Sequence, residues 1–201
     1  MSLTVEPIPA ETLATHLPDL ARLRIAVFRD FPYLYDGDME YEETYLARYA
    51  AAPNALVVGA WHGLRLVGAA TAAPMEDHAA EFAQPFAAKG YDLTEILYCG
   101  ESVLLPEYRG LGIGHVFFDA REAHGRHLNR RYSAFCGVIR PEEHPDRPPN
   151  YRPLDPFWRK RGYEQVAGLI AHFPWRDIGA GEESAKPMQF WLRALENDNG
   201  A

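Results

Sequence analysis

The stretch that decides the fold reads Glu101-Ser-Val-Leu-Leu-Pro-Glu-Tyr-Arg-Gly-Leu-Gly-Ile-Gly114. Its apolar start, Val103 to Leu105, is typical of the end of a strand, and Pro106 stops strand pairing because it has no N–H to donate. An amphipathic helix opens directly after the glycines. The first N–H groups of a helix have no internal partner, and the helix dipole adds partial positive charge there. The stretch therefore predicts an anion site suited to a pyrophosphate.

The spacing of the glycines distinguishes between the known types of pyrophosphate-binding motif. A P-loop requires Lys-Ser/Thr after its last glycine, and this pair is missing here. A dinucleotide-binding fingerprint requires a third glycine where Phe117 stands, and no first strand of such a domain lies upstream. What remains is Arg-x-x-Gly-x-Gly, formed by Arg109, Gly112 and Gly114. Glycines let a ligand approach the backbone closely, and the arginine adds a permanent charge with fork geometry.

This remaining motif resembles the acetyl-CoA signature of the GNAT superfamily of N-acetyltransferases. The segment from Phe157 to Tyr163 resembles that family's helix end, in which an aromatic pair and three residues precede Gly-Phe. The resemblance is strong over residues 55–175 and loose outside them. It implies that acetyl-CoA is bound along the strand and the glycine turn. The implied contacts are Val103, Leu104, Leu105, Arg109, Gly110, Leu111, Gly112, Ile113, Gly114 and Phe157.

The order of predicted elements is β-α-α-β-β-α-β-α-β-α-β-β, which indicates an α/β (α+β) domain. With the resemblance, it predicts a GNAT-like fold: a single mixed, mostly antiparallel sheet of six to seven strands flanked by helices. Residues 1–195 are expected to form one domain, and residues 196–201 a frayed tail. The strand before the glycine turn is predicted to be continuous over Glu95–Leu105. Pro18 is expected to begin or kink the first helix.

Composition excludes several classes of protein. The net charge of -8 argues against nucleic acid or an anionic membrane as partner. No apolar run approaches a membrane span, and the N-terminus lacks the pattern of a signal peptide. Cys99 and Cys136 are predicted to be buried thiols, which favours a cytoplasmic location. His124 and His127 have a helical spacing but no third ligand, so no metal is expected. A homodimer is the default expectation.

Acetyl transfer to an amine requires a base, because an alkyl ammonium group has a reference pKa of ~10.4. Glu101 is our candidate, acting through one water, and Glu95 is a weaker alternative. By strand alternation Glu101 shares a face with Val103 and Leu105, unless a bulge intervenes. The opposite interpretation makes Glu101 a structural charge paired with an arginine. The resemblance implies that a backbone N–H near Leu104 polarises the thioester.

The resemblance also implies a tyrosine acid as the second residue of the aromatic pair, where this chain has Trp158. An indole N–H donates hydrogen bonds but is not a usable acid. Tyr163 is our candidate in its place, with Tyr151 as alternative, although Tyr163 matches a packing aromatic of the family. The departure favours a second hypothesis, a non-catalytic module that holds acyl-CoA or docks a protein. A third is a domain that binds another phosphate ligand, such as a nucleotide.

The segment from Phe31 to Glu43 carries five carboxylates and four aromatic rings within thirteen residues. In the family, this region often lines the acceptor pocket. Carboxylates and aromatic faces attract cations, which predicts the primary amine of a small cationic acceptor. The alternative is a solvated loop before an acidic helix start. A further alternative uses Arg140, Arg147 and Arg152 to hold a carboxylate of the substrate or the CoA phosphates. The predicted acceptor contacts are Phe31, Tyr33, Tyr35 and Asp36.

Overall fold

A computed structural model describes residues 2–78 and 80–196 of the chain. Of the predicted frayed tail, only Glu196 is among them, and residues 197–201 lie outside the described part. The strands are β1 (Leu3–Pro7), β2 (Leu56–His62), β3 (Arg65–Pro74), β4 (Ile96–Tyr98), β5 (Ser102–Leu104), β6 (Tyr132–Val138), β7 (Glu164–Trp175) and β8 (Ser184–Ala194). The helices are α1 (Ala10–Phe28), α2 (Met39–Ala51), α3 (Ala80–Ala88), α4 (Ile113–His127) and α5 (Asp155–Lys160).

The strands form one sheet in the order β1-β2-β3-β4-β6-β8-β7, with β5 also paired to β3. The pair β4–β6 is parallel and the other pairs are antiparallel. This confirms the predicted fold class. The sheet has eight strands, because the strand predicted as continuous over Glu95–Leu105 is broken into β4 and β5.

The break between β4 and β5 is a bulge opposite Thr71. Gly100 N–H donates to the Thr71 carbonyl at 3.2 Å, and Thr71 N–H donates to the Glu101 carbonyl at 3.1 Å, so two residues oppose one. A Cβ at Gly100 would lie 2.2 Å from the Tyr49 hydroxyl and 2.9 Å from Thr71 Oγ1. The bulge therefore depends on a residue without a side chain.

Helices cover both faces of the sheet. Helices α1 and α2 pack on one face through Leu20, Leu23 and Leu46, and Phe86 of α3 lies on the same face. Helix α4 covers the other face through Ile113, Phe117 and Phe118, with α5 beside it. Helix α1 continues through Pro18, so it does not begin there. Its apolar stripe is buried on both sides of the proline, and this packing outweighs the lost hydrogen bond. None of the described helices has the length and apolar character needed to cross a membrane.

Candidate active site

A slot opens in the sheet where β5 and β6 diverge. Strand β4 is paired to β6 as far as the Cys99 N–H, which donates to the Ala134 carbonyl at 2.8 Å. Beyond this point β5 pairs only with β3, and residues 135–138 of β6 pair only with β8. We call the space between these two strand edges the slot, and the place where they diverge its vertex.

Backbone groups of β5 face the slot. Leu105 N–H donates to the Val67 carbonyl at 3.0 Å, so by strand alternation the N–H and C=O groups of Leu104 and Ser102 point away from β3. The Arg109 side chain is consistent with this, because its Nε donates to the Leu104 carbonyl at 3.1 Å. On the opposite edge, the same alternation turns the peptide groups of Cys136 and Val138 toward the slot. The slot is thus lined by free strand edges of the kind that pair with an added extended ligand.

The outer end of the slot meets the start of α4. Gly110 and Gly112 have φ of 79° and 84°, a left-handed conformation that favours glycine. No described residue accepts a hydrogen bond from the N–H groups of residues 110–114, and α4 has no side-chain cap. A Cβ at Gly114 would make only ordinary contact with Phe157, at 3.5 Å. The turn is therefore a cradle of backbone donors at a helix N-terminus, open to an anion.

The side chains of the predicted acetyl-CoA contacts have different environments. Val103 is fully buried and Ile113 is 3% exposed, so they anchor β5 and α4 in the core. Leu111 is 62% exposed beside the cradle. Arg109, half exposed, lies at the rim, with Asp30 at 4.0 Å. These positions offer backbone groups and one arginine to a ligand, rather than a set of side chains.

Glu101 lies at the vertex, in a buried cluster of charges on the α1–α2 face. Its Oε1 is 3.0 Å from Arg24 Nη1, and its Oε2 accepts from the Tyr45 hydroxyl at 3.2 Å. Arg24 also pairs with Glu42, which is fully buried. The predicted alternative of an arginine partner for Glu101 is thus present. One guanidinium faces two carboxylates, which leaves this cluster with one excess negative charge.

The charges in this cluster change the pKa of Glu101. Burial raises the pKa of this carboxyl above 4.5 and Glu42 adds to the rise, while Arg24 opposes both. Burial and then the Glu101 charge raise the pKa of Tyr45, so its hydroxyl stays protonated as a donor. Glu42 Oε1 has no hydrogen-bond partner among the described residues, and Glu101 Oε1 has only its ion pair with Arg24. Both oxygens are themselves buried, so they lie inside the cluster rather than on an open surface.

A neutral wall of aromatic rings lies beside this cluster. His78 packs edge-on against Tyr98, with ring centroids 4.7 Å apart, and against Tyr49 at 6.2 Å. Burial lowers the pKa of His78 to about 4, so its ring is uncharged at neutral pH. The Tyr98 hydroxyl is 3.1 Å from Cys136 Sγ, and burial raises the pKa of that thiol to about 12. The wall offers faces and hydroxyls but no nucleophile.

Sequence reasoning missed Arg24 and Tyr45 as site residues, and counted Glu42 only among the acidic residues of its segment. A signal was present for two of them. Arg24 continues the apolar stripe of α1 at the position four residues after Leu20, and Glu42 precedes Leu46 of α2 by four residues. A charged side chain at a core-facing helical position requires a partner, so each of these two predicts the other.

Tyr163 lies on the α4–α5 face of the sheet, opposite the face that carries Glu101. It is fully buried, and its hydroxyl donates to Ser133 Oγ at 2.8 Å and lies 3.2 Å from Glu122 Oε1. Burial raises its pKa well above 10. Trp158 packs edge-on against Phe135, at a centroid distance of 5.0 Å. Both environments suit packing residues.

The predicted acceptor segment covers the α1–α2 face near the cluster. Tyr33 packs on Phe28, with ring centroids 4.5 Å apart. Burial raises the pKa of the Tyr33 hydroxyl, and the nearby Cys136 raises it further. Burial, followed by the charge of Glu42, also raises the pKa of Tyr35. Phe31 instead contacts Tyr151, at 4.7 Å. Tyr33 and Tyr35 thus reach the candidate site, whereas Phe31 packs on the proline-rich loop.

Two predicted ion-binding groups are engaged elsewhere. Asp36 is held by Arg176 at 2.9 Å and by Arg29 at 3.9 Å, so its charge is already balanced. Arg140 donates to the Pro32 and Tyr33 carbonyls, each at 2.8 Å, and forms a bidentate pair with Asp177. Arg140 therefore fixes the aromatic segment in place, with four of its five N–H donors engaged and its charge balanced by Asp177.

Comparison with solved structures shows what this architecture is similar to. A candidate acetyltransferase of Salmonella typhimurium, solved with its cofactor acetyl-CoA, matches with a TM-score of 0.62 and 10% identity over 100% of this chain and 98% of its own. A candidate acetyltransferase of the GNAT family from Desulfovibrio desulfuricans matches at 0.61 and 13% identity, over 97% and 100%. The ribosomal-protein-S18-alanine N-acetyltransferase of Escherichia coli matches at 0.58 and 9% identity, over 100% and 99%.

No protein-family model and no curated protein sequence matches the chain. The likeness therefore lies in structure, at identities too low to show more than the fold. The bulged strand, the slot beside it and the glycine turn at its outer end lie within a chain that has the fold of the GNAT acetyltransferases.

Proposed function

We propose that the chain is an acetyl-CoA-dependent N-acetyltransferase that transfers the acetyl group directly to a primary amine. The observation that carries this proposal is the slot, which connects the free N–H groups at the start of α4 with Glu101 at the vertex. Leu105 and Glu101 are four residues apart, which corresponds to about 13 Å of extended chain. This length suits a ligand with a phosphate at one end and a reactive group at the other.

The residues present fit acetyl-CoA. The pyrophosphate would accept hydrogen bonds from the N–H groups of residues 110–114, with Arg109 as an added charge at the rim. The pantetheine amides would pair with the free edges of β5 and β6, like an inserted strand. The thioester would then lie near the vertex, where the Ser102 and Leu104 N–H groups face the slot.

In the reaction the amine nitrogen attacks the thioester carbon, and the C–N bond forms as the carbonyl electrons move to oxygen. Backbone N–H groups of β5 stabilise that oxygen. The C–S bond breaks as the carbonyl re-forms. Of the two protons that the bound ammonium group loses, Glu101 takes one before the attack, directly or through one water, and the other passes to water as the amide forms. Its raised pKa makes it a stronger base than an exposed carboxylate. A thiol has a reference pKa of ~8.5, so CoA can leave as the thiolate without a tyrosine acid.

For the acceptor we propose a small cationic amine. The excess negative charge shared by Glu42 and Glu101 would attract an ammonium group, and the rings of Tyr33, Tyr49 and Tyr98 suit a cation. A second acceptor class is the N-terminal amine of a protein, since one structural relative is by name a ribosomal-protein-alanine N-acetyltransferase. The slot and the cradle would serve both acceptors equally.

A second candidate function is binding of acyl-CoA without catalysis. The observation that favours it is Trp158, which stands at the usual position of the tyrosine acid and packs against Phe135 and Trp191. This candidate uses the same cradle and slot but predicts no release of CoA in the presence of any amine.

Calorimetric titration with acetyl-CoA tests the site. The chosen variant is Gly114→Glu, because Gly114 lies in the first turn of α4 and its Cβ has room, whereas a substitution at Gly112 would strain a left-handed residue. An acid in a first helical turn favours the helix but repels a pyrophosphate. We expect acetyl-CoA affinity to fall at least about tenfold while stability is retained. Gly181→Glu, in an open loop, is the matched control with the same charge change.

The outcomes separate the candidates. Binding that is retained in Gly181→Glu and lost in Gly114→Glu supports the cradle, and the absence of binding to the unaltered protein would reject the proposed function. Release of CoA thiol is then measured with polyamines, basic amino acids and a peptide that begins with alanine. Binding without thiol release from any of them would favour the non-catalytic candidate.

A homodimer and a cytoplasmic location remain proposals. Light scattering of the purified chain measures the first, and fractionation of the cells that produce it measures the second.

A further inference from the structure

Arg121 is a buried cation that needs an explanation. It lies on α4, is 2% exposed, and forms no ion pair with a described residue. Its neighbour Glu122 pairs instead with Arg161 and Arg193, each at 2.9 Å. Burial of a charge without a partner of opposite charge is costly, so the groups that its N–H donors contact require attention.

The guanidinium of Arg121 donates to two carbonyls, one on its own helix and one at the vertex of the slot. Its Nη1 donates to the Glu101 carbonyl at 3.1 Å, and its Nε donates to the Phe117 carbonyl at 3.2 Å. The Glu101 carbonyl also accepts from Thr71 N–H at 3.1 Å. This carbonyl belongs to the bulge at the vertex of the slot. A charged donor and a neutral one therefore act on the same oxygen.

The other end of that peptide faces the slot. Because a trans peptide is planar, the Ser102 N–H points opposite to the Glu101 carbonyl, away from β3. Hydrogen bonds polarise one another along a chain, and a charged donor has the larger effect. The cation on the carbonyl thus makes the Ser102 N–H a stronger donor. The Leu104 N–H also points into the slot, but it is not polarised by a charged donor, because the Val103 carbonyl pairs with neutral backbone of β3.

We propose that Arg121 is a positioning residue that polarises the Glu101–Ser102 peptide and makes the Ser102 N–H the principal donor to the thioester oxygen. This inference rests on the proposed function, since it concerns the acyl group bound in the slot. Arg121 keeps its proton throughout the reaction and does not contact the substrate. Its effect is electrostatic and is transmitted by a single peptide group to the oxygen on which negative charge develops.

Infrared difference spectroscopy of bound acetyl-CoA, labelled with ¹³C at the acetyl carbonyl, tests this role without an acceptor. In the unaltered protein we expect the carbonyl band at lower wavenumber than in water, because the oxygen accepts a polarised hydrogen bond. In Arg121→Met the band should move back toward its position in water, while acetyl-CoA affinity changes less than about twofold. Arg121→Lys keeps the charge and should keep most of the shift. Arg126→Met, on the same helix, is the matched control and should leave the band unchanged.

Kinetics with an accepted amine give a second readout. We expect kcat of Arg121→Met to fall about tenfold with KM for acetyl-CoA unchanged, less than the about 10²–10³ lost with a whole oxyanion donor. A bound carbonyl band that is the same in Arg121→Met and the unaltered protein would overturn the inference alone. Absence of acetyl-CoA binding to the unaltered protein would overturn the inference together with the proposed function. If Arg121→Met does not fold, the uncharged polar variant Arg121→Gln decides through the Ser102 amide proton: an upfield shift relative to the unaltered protein supports the role, and an unchanged shift overturns it.

Discussion

At the scale of single residues, Glu101 is a buried carboxylate beside a second carboxylate and is also our candidate base. We expect Glu101→Gln to lower turnover by about 10²–10⁴ while acetyl-CoA affinity is retained, because the amide cannot take a proton and lies outside the cradle. Steady-state kinetics and calorimetry measure the two effects. Turnover within about twofold of the unaltered enzyme would remove Glu101 as the base.

The same residue has a predictable effect on the pH dependence of activity and stability. Its folded pKa is raised above 4.5, so the rate should fall as pH drops through that raised value. A raised carboxyl pKa also means that ionisation of Glu101 costs stability, a cost that appears as pH rises through the folded pKa. Glutamine imitates the neutral form. We therefore expect Glu101→Gln to be at least as stable as the unaltered protein at pH 7, measured by urea unfolding, whereas a clear loss would indicate a mainly structural pairing with Arg24.

Sequence could predict part of this cluster. Strand alternation correctly placed Glu101 on the face of Val103, because a period of two survives on both sides of the bulge. The partner could not be identified, since the sequence holds 20 lysines and arginines and pairing depends on which helix faces which strand. Only the position of Arg24 on an apolar stripe gave a sign that its charge is buried.

At the scale of elements, the fold rests on the bulge that separates β4 from β5. Periodicity predicted one strand over Glu95–Leu105, because the residues on both sides of the break have strand-like patterns. The space beside Gly100 at the break is filled by residues from elsewhere in the chain, the Tyr49 hydroxyl and Thr71. Helices and isolated strands are predictable from local pattern, whereas a bulge fixed by a distant side chain is not.

This packing can be tested by a double-mutant cycle. Gly100→Ala should destabilise the fold by about 1–3 kcal/mol, because its Cβ would overlap the Tyr49 hydroxyl. Tyr49→Phe removes that oxygen and leaves the ring carbon Cζ at 3.5 Å, so the double variant should lose less than the sum of the single ones. Urea unfolding of the four proteins gives the coupling energy. Strict additivity would contradict the overlap.

At the scale of the whole molecule, the proposed acceptor side of the site is assembled from distant parts of the chain. Arg140 joins the carbonyls of Pro32 and Tyr33, more than 100 residues earlier in the chain, to Asp177 beyond β7. The sequence suggested a substrate role for Arg140, because an arginine in a loop gives no sign of which distant groups it will meet. The arrangement of the proposed acetyl-CoA side was more predictable, since its strand, turn and helix are contiguous.

The Arg140–Asp177 pair should stabilise the fold and the proposed acceptor side together. Burial raises the pKa of Asp177, but the hydrogen bonds and charge of Arg140 outweigh it, so the pKa lies below 3.8. The stability from this pair is therefore present above pH 3.8 and lost as pH falls through the folded pKa. Asp177→Asn should cost about 1–3 kcal/mol at pH 7, less than the about 3–5 kcal/mol for a fully buried pair, because Asp177 is 25% exposed.

Urea unfolding at a series of pH values measures this cost, and the difference between Asp177→Asn and the unaltered protein should shrink toward acid pH. Asp146→Asn, an exposed aspartate of the proline-rich loop, is the control and should change little. Because Arg140 also holds the aromatic segment, KM for the amine should rise in Asp177→Asn while acetyl-CoA affinity is unchanged. An equal loss of affinity for the amine and for acetyl-CoA would mean that the Arg140–Asp177 pair supports the whole site and not the aromatic segment alone.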